Sequence, residues 1–154
     1  MKKKKSLTLL FFKTYLAMIL NSPETKLFKN LYARLNQKTE DIIENGHLAC
    51  AFFVSSLLVI HKLISGIHAT VEGTLKDLEK SGWTKISKPR IGCLVIWEKV
   101  DFGNNNLHAH IGFYIGKNQA ISNSSKKGVP VIHDLTFTNK RKIELLLWHP
   151  KLER

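Results

Sequence analysis

GHLACAFFVSSLLVI, residues 46–60, is the most apolar stretch of the chain, and its reading decides the fold. From Leu48 to Ile60, thirteen residues are interrupted only by Ser55 and Ser56. Crossing a bilayer takes about 20 apolar residues, and runs of about 10–14 belong more often to buried core helices. His61 and Lys62 follow at once, and Gly46 and Gly66 bracket the segment. The pattern predicts a helix from Cys50 to Ile64, apolar on nearly every face, which other elements must surround. It also places Cys50, one of two cysteines, at the N-terminal end of that helix. Unsatisfied N–H groups and the positive end of the helix dipole lie there, and both are expected to lower a thiol pKa.

The surrounding elements follow in the sequence. HATVEGTLKDLEKSGW, residues 68–83, reads as a short helix with Thr70 as cap, Leu75 and Leu78 inward, and Gly82 as stop. The apolar period then changes to two. Ile91–Val100, His108–Gly116, Gln119–Asn123, Gly128–Leu135 and Ile143–His149 read as strands, separated by the turn-rich DFGNNN, GKN, SSKKG and TNKRK. Helices first and antiparallel strands after them give an α+β chain, with the helices packed on one face of the sheet.

Upstream, MKKKKSLTLLFFKTYLAMIL begins like a signal peptide, but Lys13 interrupts the apolar run and no small-x-small cleavage site follows. Leu27, Leu31 and Leu35 recur every four residues, and Ser22-Pro23 has the form of a helix start. Residues 1–40 are therefore expected to form a basic N-terminal helical extension packed on a domain spanning 41–154. The same segment read as a weak signal or interfacial anchor brings contact with a membrane surface. Its location of action would then be the cell envelope or the exterior, and otherwise the cytoplasm.

At 154 residues the chain suits one domain, expected to be a monomer. Twenty-four Lys and Arg against twelve Asp and Glu leave +12. That balance favours anionic partners such as an acidic polymer. No zinc finger, RNP-like motif or recognition-helix pattern accompanies the charge, so no specific nucleic acid is expected. Two cysteines without CxxC spacing make neither a disulfide framework nor a thiolate zinc site.

A Cys in an apolar run is ordinarily a small buried hydrophobe. As a nucleophile it needs a base, usually His. LHAHIGFYIG supplies the candidate. On a strand, His108, His110, Gly112 and Tyr114 share one face, while Ala109, Ile111, Phe113 and Ile115 form the apolar other. A His108/His110 zinc pair is a competing reading, with His133 or Cys93 needed as third ligand. His47 either lines the site or is simply exposed. Trp83, Trp97 and Trp148 read as packing residues.

Together these segments resemble the NlpC/P60 family of papain-like cysteine peptidases. Cys50, Phe53 and Val54 match the motif around the nucleophile. Pro89, Gly92, Leu94, Val95 and Trp97 match the following strand, with two residues between Pro and Gly where the family has none. His110, Gly112, Tyr114 and Gly116 match the strand that carries the base. The resemblance covers roughly Gly46 to Leu135. It departs at Ala49, where an acidic residue is usual, at Ala51-Phe52 in place of Ser-Gly, and at Cys93 in place of Asp.

The resemblance implies a papain-like fold, with the buried Cys50 helix packed on an antiparallel sheet. It implies a cysteine hydrolase that cuts peptide amides in peptidoglycan with Cys50 as nucleophile and His110 as base, and no cofactor or metal. A silent module of the same fold, binding an anionic polymer, is the alternative. A third polar residue orients such a base. The family register puts it at Ser122, twelve residues after His110. A two-residue turn at Lys117-Asn118 instead brings Asn123 to that face, and a three-residue loop or a bulge restores Ser122. Both are carried as candidates. A Cys50–Cys93 bridge would silence such an enzyme.

Overall fold

Helical and alternating apolar patterns divide the chain much as the sequence suggests. The computed structural model describes residues 5–101, 103 and 105–153. The Lys-rich start and two positions of the DFGNNN turn lie outside them. The elements are α1 (Phe11–Leu20), β1 (Tyr32–Leu35), β2 (Lys38–Asp41), α2 (Cys50–Ile60), α3 (Val71–Lys80), β3 (Thr84–Lys85), β4 (Leu94–Asp101), β5 (Leu107–Gly116), β6 (Gln119–Ser124), β7 (Val129–Asp134) and β8 (Ile143–Trp148). A 3₁₀ turn, Pro150–Leu152, follows β8. The architecture is α+β. One antiparallel sheet has the order β3-β8-β4-β5-β6-β7, and β1-β2 form a separate hairpin.

Helix α2 is central because its sequence leaves it no polar face. Phe53, Val54 and Leu58 are fully buried. Phe53 meets the sheet edge-on at Phe113, 5.6 Å between centroids, and Phe28 from the other side at 5.1 Å. Burying each such side chain contributes about 1.5–3 kcal/mol. The helix stops at Ile60, four residues before the expected end, because Lys62 takes a left-handed φ of 54°.

Helix α3 is the locally regular one. The Thr70 hydroxyl accepts from the Gly73 N–H at 3.1 Å, Glu72 sits in the first turn, and Lys80 in the last. Gly82, with φ 93°, ends it. On its buried side Asp77 accepts from Ser65, Gly66, His68 and Ser81, which ties the loop after α2 to α3.

The expected helical extension over residues 1–40 forms only in part. Helix α1 is built into the core: Tyr15 and Ile19 are fully buried, and the Tyr15 hydroxyl donates to the Gly92 carbonyl at 2.7 Å. Ser22 caps no second helix. Its hydroxyl donates back to the Ile19 carbonyl and closes α1. Leu27 and Leu35 are exposed, and residues 32–41 fold as a hairpin. Asn36 and Gln37 take left-handed φ values at its tip, as a two-residue hairpin turn requires. The Asp41 carboxylate then accepts from Asn30 and from the N–H groups of Leu31, Ile43 and Asn45, fixing the hairpin's base. Among the described residues, no helix is long and apolar enough to cross a membrane.

Candidate active site

Strand β5 sorts its side chains by parity. Phe113 faces α2, with Ile111 on the same side. His110, Gly112 and Tyr114 face the other way, and His110 lies opposite Trp97 of β4. The hairpin from β5 to β6 combines two features. Lys117 and Asn118 form the two-residue turn, with φ 50° and 58°, so Gly116 pairs with Gln119. Tyr114 then pairs with Ala120, which leaves Ile115 as a bulge. The bulge reverses parity, so Ser122 comes opposite Gly112 and faces His110. His110 Nε2 and Ser122 Oγ lie 2.8 Å apart. A Cβ at Gly112 would come within 2.7 Å of Ser122 Cβ and 3.1 Å of the Trp97 ring, so only glycine lets these groups close around His110.

Asn123, the other candidate orienter, does not meet His110. It faces the helix side, where its Nδ2 donates to the Gly46 carbonyl at 2.7 Å. Its Oδ1 is buried and has no hydrogen-bond partner among the described residues. Gly46 has φ 90°, and a Cβ there would overlap the Gly128 carbonyl. Asn123 and Gly46 thus fix the approach of the chain to α2, a structural task.

The β5–β6 ladder runs from the turn to Gly112↔Ser122 and ends there. The Tyr114 N–H donates to the carbonyl of Cys93, the residue before β4, so odd-numbered N–H groups of β5 point toward β6. The Ile111 N–H therefore looks into the opening where the ladder stops. It hydrogen-bonds to the Cys50 sulfur, which enters from the start of α2. The N–H groups of Ala51 and of Cys50 itself also favour the thiolate. Nothing competes for these amides from the side-chain cap, because Ala49 has none to offer. The Arg141 guanidinium adds positive charge near both Cys50 and His110. It is held by the carbonyls of Glu98 and His108, at 3.0 and 2.7 Å.

The expected low thiol pKa is corrected here. Burial is the largest influence on Cys50 and raises its pKa; the three N–H groups and Arg141 lower it by less. His110 is pushed down to about 3 by burial, then by Arg141 and His133. Both groups rest neutral at pH 7. Desolvation disfavours both charged forms and outweighs the helix end that favours one of them.

Residues outside the sequence-derived set of Cys50, His110, Ser122 and Asn123 surround these groups. His133 Nε2 lies 2.7 Å from Ser122 Oγ, and its Nδ1 lies 2.7 Å from the Asp134 carbonyl. The Phe137 ring stacks on His133 at 4.0 Å, and Trp97 packs on His110, His133 and Phe137. A β6–β7 register would have placed His133 near Ser122, since Ser122 pairs with Val131. Nothing in TNKRK marks Arg141.

Among the described residues, no three of His, Cys, Asp and Glu gather to hold a metal ion. His133, one of the two third ligands offered for the zinc reading, spends both ring nitrogens on Ser122 and Asp134. Cys50 and Cys93 are free thiols, and burial raises Cys93 to about 11. His47 is exposed and bonded to the Ser125 carbonyl. The Trp83, Trp97 and Trp148 rings are all buried, as packing residues should be. Two cavities of about 320 and 410 Å³ lie elsewhere, one beside Arg90 and Trp148, the other beside Leu75 and Glu144. No protein-family model matches the chain, and no curated protein matches it.

Proposed function

We propose that the chain is a cysteine hydrolase of papain-like, NlpC/P60-type architecture that cleaves peptide amides, with peptidoglycan peptides as the substrate class. One observation carries this reading. The Cys50 sulfur sits among three N–H donors at an opening in the sheet, beside the strand position next to a His110 already bonded to a third polar residue. A merely buried cysteine has no use for that arrangement.

With both groups neutral at rest, the thiol proton moves to His110 as the sulfur attacks the carbonyl carbon, not before. The N–H groups at the start of α2 stabilise the oxyanion. Collapse breaks the C–N bond, and His110 returns the proton to the leaving amine. Water, deprotonated by His110, then hydrolyses the thioester and regenerates the Cys50 thiol. The net charge of +12 suits an anionic wall polymer.

The test is mass spectrometry of the chain quenched during turnover of peptidoglycan-derived peptides. The expected result is an acyl adduct on Cys50 that is absent from His110→Ala. Turnover that survives Cys50→Ala overturns the proposal. The raised Cys50 pKa favours a second reading, a silent module binding an anionic polymer. It expects no adduct and salt-sensitive binding that Cys50→Ala leaves unchanged.

A further inference from the structure

We infer that His133 is a positioning residue: acting through Ser122, it holds the His110 imidazole in the tautomer whose Nδ1 is bare. The inference rests on the hydrolase reading only for its use. The tautomer itself follows from donor and acceptor chemistry along one chain of contacts.

The Asp134 carbonyl can only accept, so His133 Nδ1 carries the proton that bonds it. In the neutral ring, His133 Nε2 then holds a lone pair and accepts the Ser122 hydroxyl proton across 2.7 Å. A serine hydroxyl has one proton to give. With that proton committed, Ser122 Oγ accepts from His110 Nε2–H across 2.8 Å. His110 Nδ1 is left unprotonated, the nitrogen that the hydrolase reading takes as the base for the Cys50 thiol. Each link is held by packing. Phe137 stacks on His133 with planes 13° apart, and Trp97, anchored by its Nε1–H to the Leu135 carbonyl, packs against both imidazoles. Burial keeps His133 neutral, since it lowers its pKa. Remove His133 and the Ser122 proton is released. It can turn to His110 Nε2, which moves the imidazole proton to Nδ1 and removes the lone pair that the hydrolase reading assigns to the base.

Imidazole ¹⁵N–¹H correlation spectra of the full chain at neutral pH test this directly. The wild type is expected to show His110 with Nε2–H and a bare Nδ1. His133→Phe preserves the ring packed on Phe137 and removes the acceptor; it is expected to lose that single tautomer. Its kcat for peptide hydrolysis should fall at least about 10-fold with KM unchanged. His133→Gln, which returns an acceptor oxygen, is expected to recover the tautomer. If His133→Phe does not fold, Ser122→Ala is read by the same spectra with the same expectation. Nδ1–H on His110 in the wild type, or an unchanged tautomer in the variant that folds, overturns the inference. A wild type with the expected tautomer but no Cys50-dependent turnover overturns the hydrolase reading and leaves the relay standing.

Discussion

The N-termini of α2 and α3 are built to opposite rules. Thr70 closes the start of α3 with a side-chain hydrogen bond, and Glu72 complements its dipole. Helix α2 begins at buried Ala49 with no side-chain cap and no acidic residue in its first turn. Ala49 also has φ −91° and ψ 6°, outside the extended conformation in which a capping side chain reaches back. One helix satisfies its first amides locally; the other reserves them for a sulfur. On the hydrolase reading, the difference separates stability from chemistry in this molecule. The core side chains of α2 hold it in place, so its N-terminal end need not.

If that separation is real, substitutions at the two ends should have disjoint effects. The largest is expected at Cys50. Cys50→Ala should lower peptide turnover on the order of 10⁴-fold, the scale of a lost nucleophile. Its melting temperature should stay near the wild-type value. Steady-state kinetics beside thermal melting would check both halves, and a large loss of stability would break the comparison.

Next is Asp77, the hub that joins α3 to the loop after α2. Burial raises its pKa, but hydrogen bonds from His68, Ser65 and Ser81 prevail and hold the carboxyl well below the usual range. A depressed carboxyl contributes stability above the unfolded value, near about 3.9, and loses it as pH falls through the folded value. Asp77→Asn should therefore be less stable than wild type at pH 7. The gap should narrow as pH drops below about 4. Urea unfolding across that range measures it, and a gap that widens with acid contradicts the assignment. The smallest effect is expected at Thr70: Thr70→Ala should cost about 1 kcal/mol of stability and leave kcat unchanged.

Local pattern revealed much of this fold. Helices α2 and α3 and strands β4 to β8 were legible because their apolar residues follow one period each, and core packing agrees with that period. The β1–β2 hairpin was hidden behind Leu27, Leu31 and Leu35, whose helical spacing has no partner surface; Leu27 and Leu35 end exposed. In the site, Cys50 and His110 announced themselves by motif. Choosing Ser122 over Asn123 required a bulge that turn arithmetic alone does not reveal. His133 was legible only as a possible metal ligand; its place behind Ser122, and Arg141 altogether, enter through contacts between strands or turns distant in sequence. The direction of the thiol pKa was hidden for another reason. A helix end is visible in the sequence, whereas the dense surroundings that outweigh it belong to the assembled core.

The extra residue at Ile115 has a consequence for descent. Beyond the turn, the side chain beneath the imidazole is chosen by whether that residue bulges out of the ladder or pairs within it. Bulged, it presents a hydroxyl; paired, it would present the adjacent carboxamide. Losing the residue altogether would leave Gly112 opposite Ser122, because a bulge is the position the ladder already skips. A lineage can therefore shorten this hairpin by one codon and keep its serine, whereas a flattened bulge of unchanged length would exchange the serine for the asparagine.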